Sequence, residues 1–214
     1  MKINNQQIRR WRGAFGEAYT ERNASIVGVT EEQYKQNFGL SRSDLNELFL
    51  DDLNRDLRIL EVGTNVGIQL ELLERLGFQN LYGIDIQYKS ILEAHRQRPK
   101  FNIIEGNVLD IPFKSDFFDL VFTSGLLIHV HPDDIDKALQ EIVRCTRRYV
   151  WGFEYYSDEY EEVRYRENDN LLWKTDFARL YLENFDLELR ESKLLQYLDE
   201  DNQDQMFLLE LENT

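Results

Sequence analysis

The sequence predicts an α/β protein built on a doubly wound, mostly parallel sheet and preceded by a helical cap. Three observations predict it. From Leu57 onward short apolar runs alternate with amphipathic stretches, as consecutive strand and helix units require. Within that region Arg58–Gly67, Arg-Ile-Leu-Glu-Val-Gly-Thr-Asn-Val-Gly, passes from an apolar strand through a glycine turn into a helix. Residues 1–55, by contrast, carry helical stripes and no comparable strand runs.

With 214 residues, 42% of them hydrophobic, the chain can bury one substantial core or one domain plus a cap. A cap or lid over 1–55 and an α/β domain over 56–214, together one globular unit, is the expected division. Acidic residues outnumber basic ones 40 to 25, giving a net charge of −15 that repels polyanions. Nucleic acids and anionic membranes are thus disfavoured as partners, and a small-molecule substrate is expected. The first residues, Met1–Arg12, lack the apolar core of a signal peptide, and no run reaches membrane-span length. A cytoplasmic location is expected, and a homodimer is compatible with the sequence. Cys145, the single cysteine, reads as an inert buried thiol.

In the cap, Ile8, Trp11, Phe15 and Tyr19 recur at helical spacing, interrupted by Gly13 and Gly16. Those glycines mark either close packing over a ligand or a break in the helix. Thr30 is the expected cap of a helix carrying Tyr34 and Phe38, and Ser41 or Ser43 of the next. Strands are expected at 57–62, 81–86, 101–105, 117–123 and 149–155, with helices at 66–76, 88–98 and from Pro132. After a mixed aromatic and charged stretch, a helix from Thr175 or Asp176 to about Asn184 precedes a strand at 187–194. Acidic residues 199–204 are expected to form a loop before a final strand, 205–211.

The glycine turn has the form of a nucleotide-type binding loop. A dinucleotide loop needs glycines at the positions of 63, 65 and 68, yet 65 is Asn and 68 is Ile. The spacing fits better to the Glu/Asp-x-Gly-x-Gly-x-Gly loop of class I methyltransferases, with Glu61, Gly63, Asn65 and Gly67, and with Asn, tolerant of left-handed backbone, in the central position. Thr64 belongs to the same loop. Asp85, roughly 20 residues on, can accept both ribose hydroxyls of a nucleoside, with Ile86 beside it. Asn107, followed by Val108, can accept a hydrogen bond from an adenine amino group, and Asp110 competes for that role. Ser124 and Gly125 are small enough to leave room for an activated methyl group. His129 reads either as a general base or as a packing residue. The Asn/Asp-Pro-Pro-Tyr segment of base-modifying enzymes is absent, and no metal-ligand spacing is present.

Longer segments carry a more specific resemblance. Residues 11–23, Trp-Arg-Gly-Ala-Phe-Gly-Glu-Ala-Tyr-Thr-Glu-Arg-Asn, together with Leu60-Glu61-Val62-Gly63, Leu127-Ile128-His129, Glu154-Tyr155-Tyr156, Tyr165-Arg166 and residues 172–177, resemble the pseudaminic acid biosynthesis-associated methylases. The resemblance implies a seven-stranded Rossmann-like methyltransferase sheet and S-adenosylmethionine as cofactor. It also implies that Tyr19, Arg22 and Asn23 close over that cofactor, with Arg22 pairing its carboxylate. Tyr155, Tyr156, Tyr165, Arg166, Trp173 and Lys174 would line the acceptor pocket, and His129 or Glu154 would take the acceptor's proton. A nonulosonic-acid-type sugar or pathway intermediate, methylated on a hydroxyl or amino group, is the implied acceptor. The alternative is an amino acid, amine or guanidinium compound, held by Glu154 and Asp169. Further removed are an NAD-dependent oxidoreductase and a non-catalytic adenosylmethionine-binding module.

Overall fold

The computed structural model describes residues 6–23 and 27–212, with the side chain of Asn23 outside the description. Helices α1 (Gln6–Arg12) and α2 (Ala14–Asn23) carry the amino-terminal stripe. The break is at Gly13, which separates the helices, whereas Gly16 is required by the packing of α2 on α1: a Cβ there would lie 1.7 Å from the Trp11 carbonyl oxygen. Helix α3 (Val27–Phe38) is already under way by Thr30, which is buried within it rather than capping it. Ser41 caps α4 (Arg42–Leu50) in a capping box, its Oγ accepting the Asp44 N–H while the Asp44 carboxylate accepts the Ser41 N–H.

The sheet is wound by β1 (Arg58–Val62), α5 (Ile68–Arg75), β2 (Asn80–Asp85), α6 (Tyr88–Gln97), β3 (Asn102–Glu105), β4 (Phe118–Ser124), α7 (Pro132–Cys145) and β5 (Thr146–Tyr155). A two-residue ribbon follows, β6 (Glu161–Glu162) against β7 (Trp173–Lys174), then α8 (Phe177–Asn184), β8 (Leu187–Gln196) and β9 (Gln203–Leu211). Seven strands pair in the order β3-β2-β1-β4-β5-β9-β8, with β9 antiparallel to both neighbours and the β1-to-β5 pairings parallel. The winding direction reverses between β1 and β4, and the crevice at the carboxyl ends of these strands is where such sheets bind ligands.

Because side chains alternate across a strand, β1 sends Ile59 to one face and Leu60 to the other. On the Ile59 side the core takes Leu45, Phe49, Leu70, Leu73 and Ile91 from α4, α5 and α6. On the Leu60 side it takes Ile135, Leu139, Phe177 and Tyr181 from α7 and α8. Cys145 is buried there, and burial pushes its thiol up to about 11. None of the described helices is long and apolar enough to cross a membrane.

One boundary differs in a way that bears on the site. Asp204, expected in the acidic loop, lies inside β9, where it pairs with Tyr155 of β5 and is 1% exposed. The period of two that runs through Met206 and Leu208 carries Asp204 onto their face.

Candidate active site

At the end of β1 the N–H groups of Gly63 and Thr64 both donate to the Ile84 carbonyl, at 2.9 and 3.0 Å, joining the glycine loop to β2. Gly63 turns with φ 79°, and a Cβ there would meet Leu126 Cδ1 at 2.8 Å. Asn65 takes the left-handed φ of 48°, and Gly67, at φ 81°, starts α5. Asp85 fixes this turn from the neighbouring strand: one carboxylate oxygen accepts the Asn65 N–H and the other the Gln87 N–H, both at 2.7 Å. Ionised, it retains lone pairs for a ligand hydroxyl pair. Glu61 is buried with the Thr64 hydroxyl donating to it at 2.6 Å, and burial pushes its carboxyl up to about 8.

Two further strand ends complete the crevice. Asn107 and Val108 line it after β3, whereas Asp110 is exposed and stands outside the lining. The Asn107 Oδ1 accepts the Leu109 N–H at 3.0 Å, which orients the side chain and leaves its second lone pair. At the end of β4, Ser124 Oγ accepts from Arg42 Nη1 at 3.1 Å. His129 ends a 3-10 turn over 127–129 and faces the crevice, with ring centroids 4.6 Å from Trp11 and 5.3 Å from Tyr165. Its Nδ1 lies 2.7 Å from the Leu171 carbonyl. A carbonyl only accepts, so Nδ1 carries the proton and Nε2 the lone pair. Burial lowers the imidazole to about 4, so the ring is neutral at physiological pH.

Glu154 does not line the crevice. It is 1% exposed, and its carboxylate accepts the N–H groups of Leu126 and Ile128 at 3.2 and 3.4 Å, holding the loop after β4 in place. Burial pushes it up to about 7. This placement gives it a positioning role and offers no support for proton transfer with an acceptor.

Residues of α1 and α2 border the crevice. Gln87 Nε2 donates to the Trp11 and Arg12 carbonyls at 3.0 and 3.2 Å, docking α1 and α2 on the sheet edge. Gly16, Tyr19 and Thr20 line the crevice from α2. Arg22 is exposed and outside the lining. The Asn23 side chain lies outside the described residues.

Of the residues expected around the acceptor, Tyr155, Tyr165 and Arg166 line the crevice and three others do not. Tyr156 donates its hydroxyl to Asp158 at 2.6 Å, and Lys174 is hydrogen-bonded to Asn202. Trp173 is buried with its ring 5.1 Å from His131 and stands outside the lining. Asp169 is exposed beside Arg164.

A second cluster was not legible as a site. Arg42 is fully buried, its guanidinium 4.4 Å from the Phe153 ring centroid, donating to Asn46 Oδ1 and Tyr34 OH at 2.8 Å each. Tyr34, Phe153, Tyr155, Tyr197 and Asp204 line the crevice around it. The signal available was a cation in the first turn of a helix, against the macrodipole, which marks Arg42 as held by something other than its own helix. The two clusters share one cavity of about 820 Å³, within the range of small-molecule and cofactor sites.

These residues fit an adenosylmethionine-type cofactor. Asp85 can hold its ribose hydroxyls, Asn107 its adenine amino group, and Asn65 Oδ1, buried with no hydrogen-bond partner among the described residues, can take a donor from its amino-acid part.

Comparison with known proteins agrees. Residues 60–151 match the family described as a methyltransferase domain, and no curated protein matches the chain. Among solved structures, the chain resembles magnesium protoporphyrin IX methyltransferase from Synechocystis PCC 6803, solved with bound S-adenosylhomocysteine. That match has TM-score 0.71 and 13% identity over 96% of this chain and 98% of that one. It resembles 1,6-didemethyltoxoflavin-N1-methyltransferase from Burkholderia thailandensis at TM-score 0.66 and 15% identity, over 94% and 91% of the two chains. A methyltransferase from Methanosarcina mazei gives 0.63 and 18%, over 77% and 98%. At these identities the structural likenesses concern the fold. The domain match over residues 60–151, the seven-stranded Rossmann-like sheet and the glycine loop at its switch point together support an S-adenosylmethionine-dependent methyltransferase.

Proposed function

We propose that this enzyme transfers the methyl group to a hydroxyl or amino group of a small molecule, with a nonulosonic-acid-type sugar or pathway intermediate as the acceptor that the sequence resemblance favours. The observation that carries the small-molecule reading is the single cavity that runs from the glycine loop past Ser124 to Tyr155 and Asp204. Its volume accommodates a nucleoside cofactor and a compact acceptor together. In this reading residues 1–55 act as a cap, and Tyr19 and Thr20 close the cofactor end while Gly63, Asn65, Asp85 and Asn107 hold it.

When bound, S-adenosylmethionine supplies an already activated methyl on a sulfonium. What remains for the protein is alignment and proton transfer. The Glu154 carboxylate fixes the Leu126–Ile128 backbone, and with it the loop that flanks the transfer path. His129, neutral and with its Nε2 lone pair uncommitted to the Leu171 carbonyl, takes the acceptor's proton.

Calorimetric titration with S-adenosylhomocysteine, followed by turnover assays over sugars, amino sugars, amino acids and amines, tests the proposal. Micromolar binding and S-adenosylhomocysteine release with an acceptor from these classes are expected. Binding without release over any of them would mean a non-catalytic binding module.

A further inference from the structure

One end of the cavity holds chemistry that the cofactor does not need. In the order β1-β4-β5-β9, Asp204 stands three strands from the glycine loop, roughly 14 Å away at about 4.8 Å per strand. It lines the cavity, is 1% exposed, and its Oδ1 has no hydrogen-bond partner among the described residues. Only Oδ2 is engaged, by the Tyr197 hydroxyl at 3.2 Å. A buried acceptor of this kind, left without a donor, is costly to keep unless something binds to it.

Its surroundings select the donor. The walls are the rings of Tyr34, Phe153, Tyr155 and Tyr197, whose faces attract cations. That these rings accept a cation is already visible on the protein's own Arg42, packed 4.4 Å over Phe153. The neighbouring cations make no hydrogen bond to Asp204 among the described residues: Arg42 Nη1 donates to Tyr34 and Ser124 and its Nε to Asn46, its Nη2 is buried without a partner, and Lys174 is hydrogen-bonded to Asn202. An ammonium finds here a carboxyl oxygen without a donor, π faces and a chain of net charge −15, and its arrival favours the ionised form of Asp204.

We propose that Asp204, framed by Tyr34, Phe153, Tyr155 and Tyr197, is the recognition point for a protonated amino group on the methyl acceptor, an inference that rests on the small-molecule methyltransferase reading above. The amine is the handle by which the acceptor is held, either the group methylated or one beside it.

The experiment compares the wild-type enzyme with Asp204→Asn. S-adenosylhomocysteine is titrated into each, and circular dichroism establishes that the variant is folded. Matched probes are then titrated into the wild-type and variant complexes with S-adenosylhomocysteine: benzylamine against benzyl alcohol, and glucosamine against glucose. The expected result is equal S-adenosylhomocysteine affinity within about twofold, with amines bound at least tenfold tighter than their alcohols by the wild type only. Equal binding of amine and alcohol by the wild type would overturn the inference even if the variant did not fold. A preference that survives in Asp204→Asn would overturn it too, and so would a folded variant that loses S-adenosylhomocysteine, since Asp204 would then belong to the cofactor. Failure of the wild type to bind S-adenosylhomocysteine at all would sink the methyltransferase reading instead.

Discussion

The Asp85 carboxylate accepts the Asn65 backbone N–H at 2.7 Å, so the left-handed residue of the glycine loop is held from the next strand. Removing that carboxylate should loosen the loop and delete the ribose partner together. Asp85→Ala is expected to weaken S-adenosylhomocysteine binding at least tenfold, about 1.4 kcal/mol, in calorimetric titration. Unchanged affinity in a folded variant would take Asp85 out of the site.

His129 offers a cleaner separation of structure from chemistry. Asn at this position can still donate an amide N–H toward the Leu171 carbonyl, as Nδ1 does, while lacking the Nε2 lone pair. His129→Asn should therefore leave S-adenosylhomocysteine affinity within about twofold and lower kcat by about 100-fold or more. Turnover close to wild type would reduce His129 to a packing residue between Trp11 and Tyr165.

Acid–base behaviour follows from burial. Burial pushes Glu61 up to about 8, Glu154 to about 7 and Asp204 to about 8. The folded state keeps protons on these groups that the unfolded chain has released. Their contribution to stability is full below the ordinary carboxyl range and is lost as pH rises through 7 to 8. His129, lowered to about 4, acts in the other direction, costing stability as pH falls below its ordinary 6.5. Between pH 6.5 and 8.5 the carboxyl effect governs, so the Tm of the ligand-free protein should fall across that window, and Glu61→Gln should make the fall shallower. A flat or rising Tm there would contradict the burial of these carboxyls.

Gly16 is the most constrained point of the cap. A Cβ placed 1.7 Å from the Trp11 carbonyl oxygen meets rigid backbone, so α1 and α2 must part to admit it. Gly16→Ala should cost about 1–3 kcal/mol and speed amide exchange over residues 6–23, with the amides of β1 and β4 still protected. Equal protection of both regions in the variant and the wild type would show that the cap tolerates the side chain.

The sheet was legible because strands buried on both faces read as near-continuous apolar runs, as in Leu120-Val121-Phe122, and because glycines and prolines punctuated the helices. Gly63, Asp85 and Asn107 were legible for a topological reason: in a parallel sheet the carboxyl ends of successive strands meet at one edge. Arg42, Tyr34 and Asp204 come together only through packing between the cap and the last strand. No local spacing encodes that meeting, and Asp204 was hidden in a run of acids whose other members do form a turn. The helical period, applied to α2, groups Arg22 with Tyr19 and apart from Thr20, so spacing alone does not tell that Arg22 is exposed.

The tip of the β8–β9 hairpin is joined to the end of α3, where Leu198 N–H donates to the Asn37 carbonyl at 2.8 Å and the Phe38 and Tyr197 rings lie 4.6 Å apart. The far end of the cavity thus draws Tyr34 from α3 and Tyr197 and Asp204 from the hairpin, two segments distant in the chain that meet over Phe153 and Tyr155 of β5. Replacing α3 and the hairpin as a matched pair is accordingly a route to retargeting the enzyme toward new molecules while its donor chemistry stays intact.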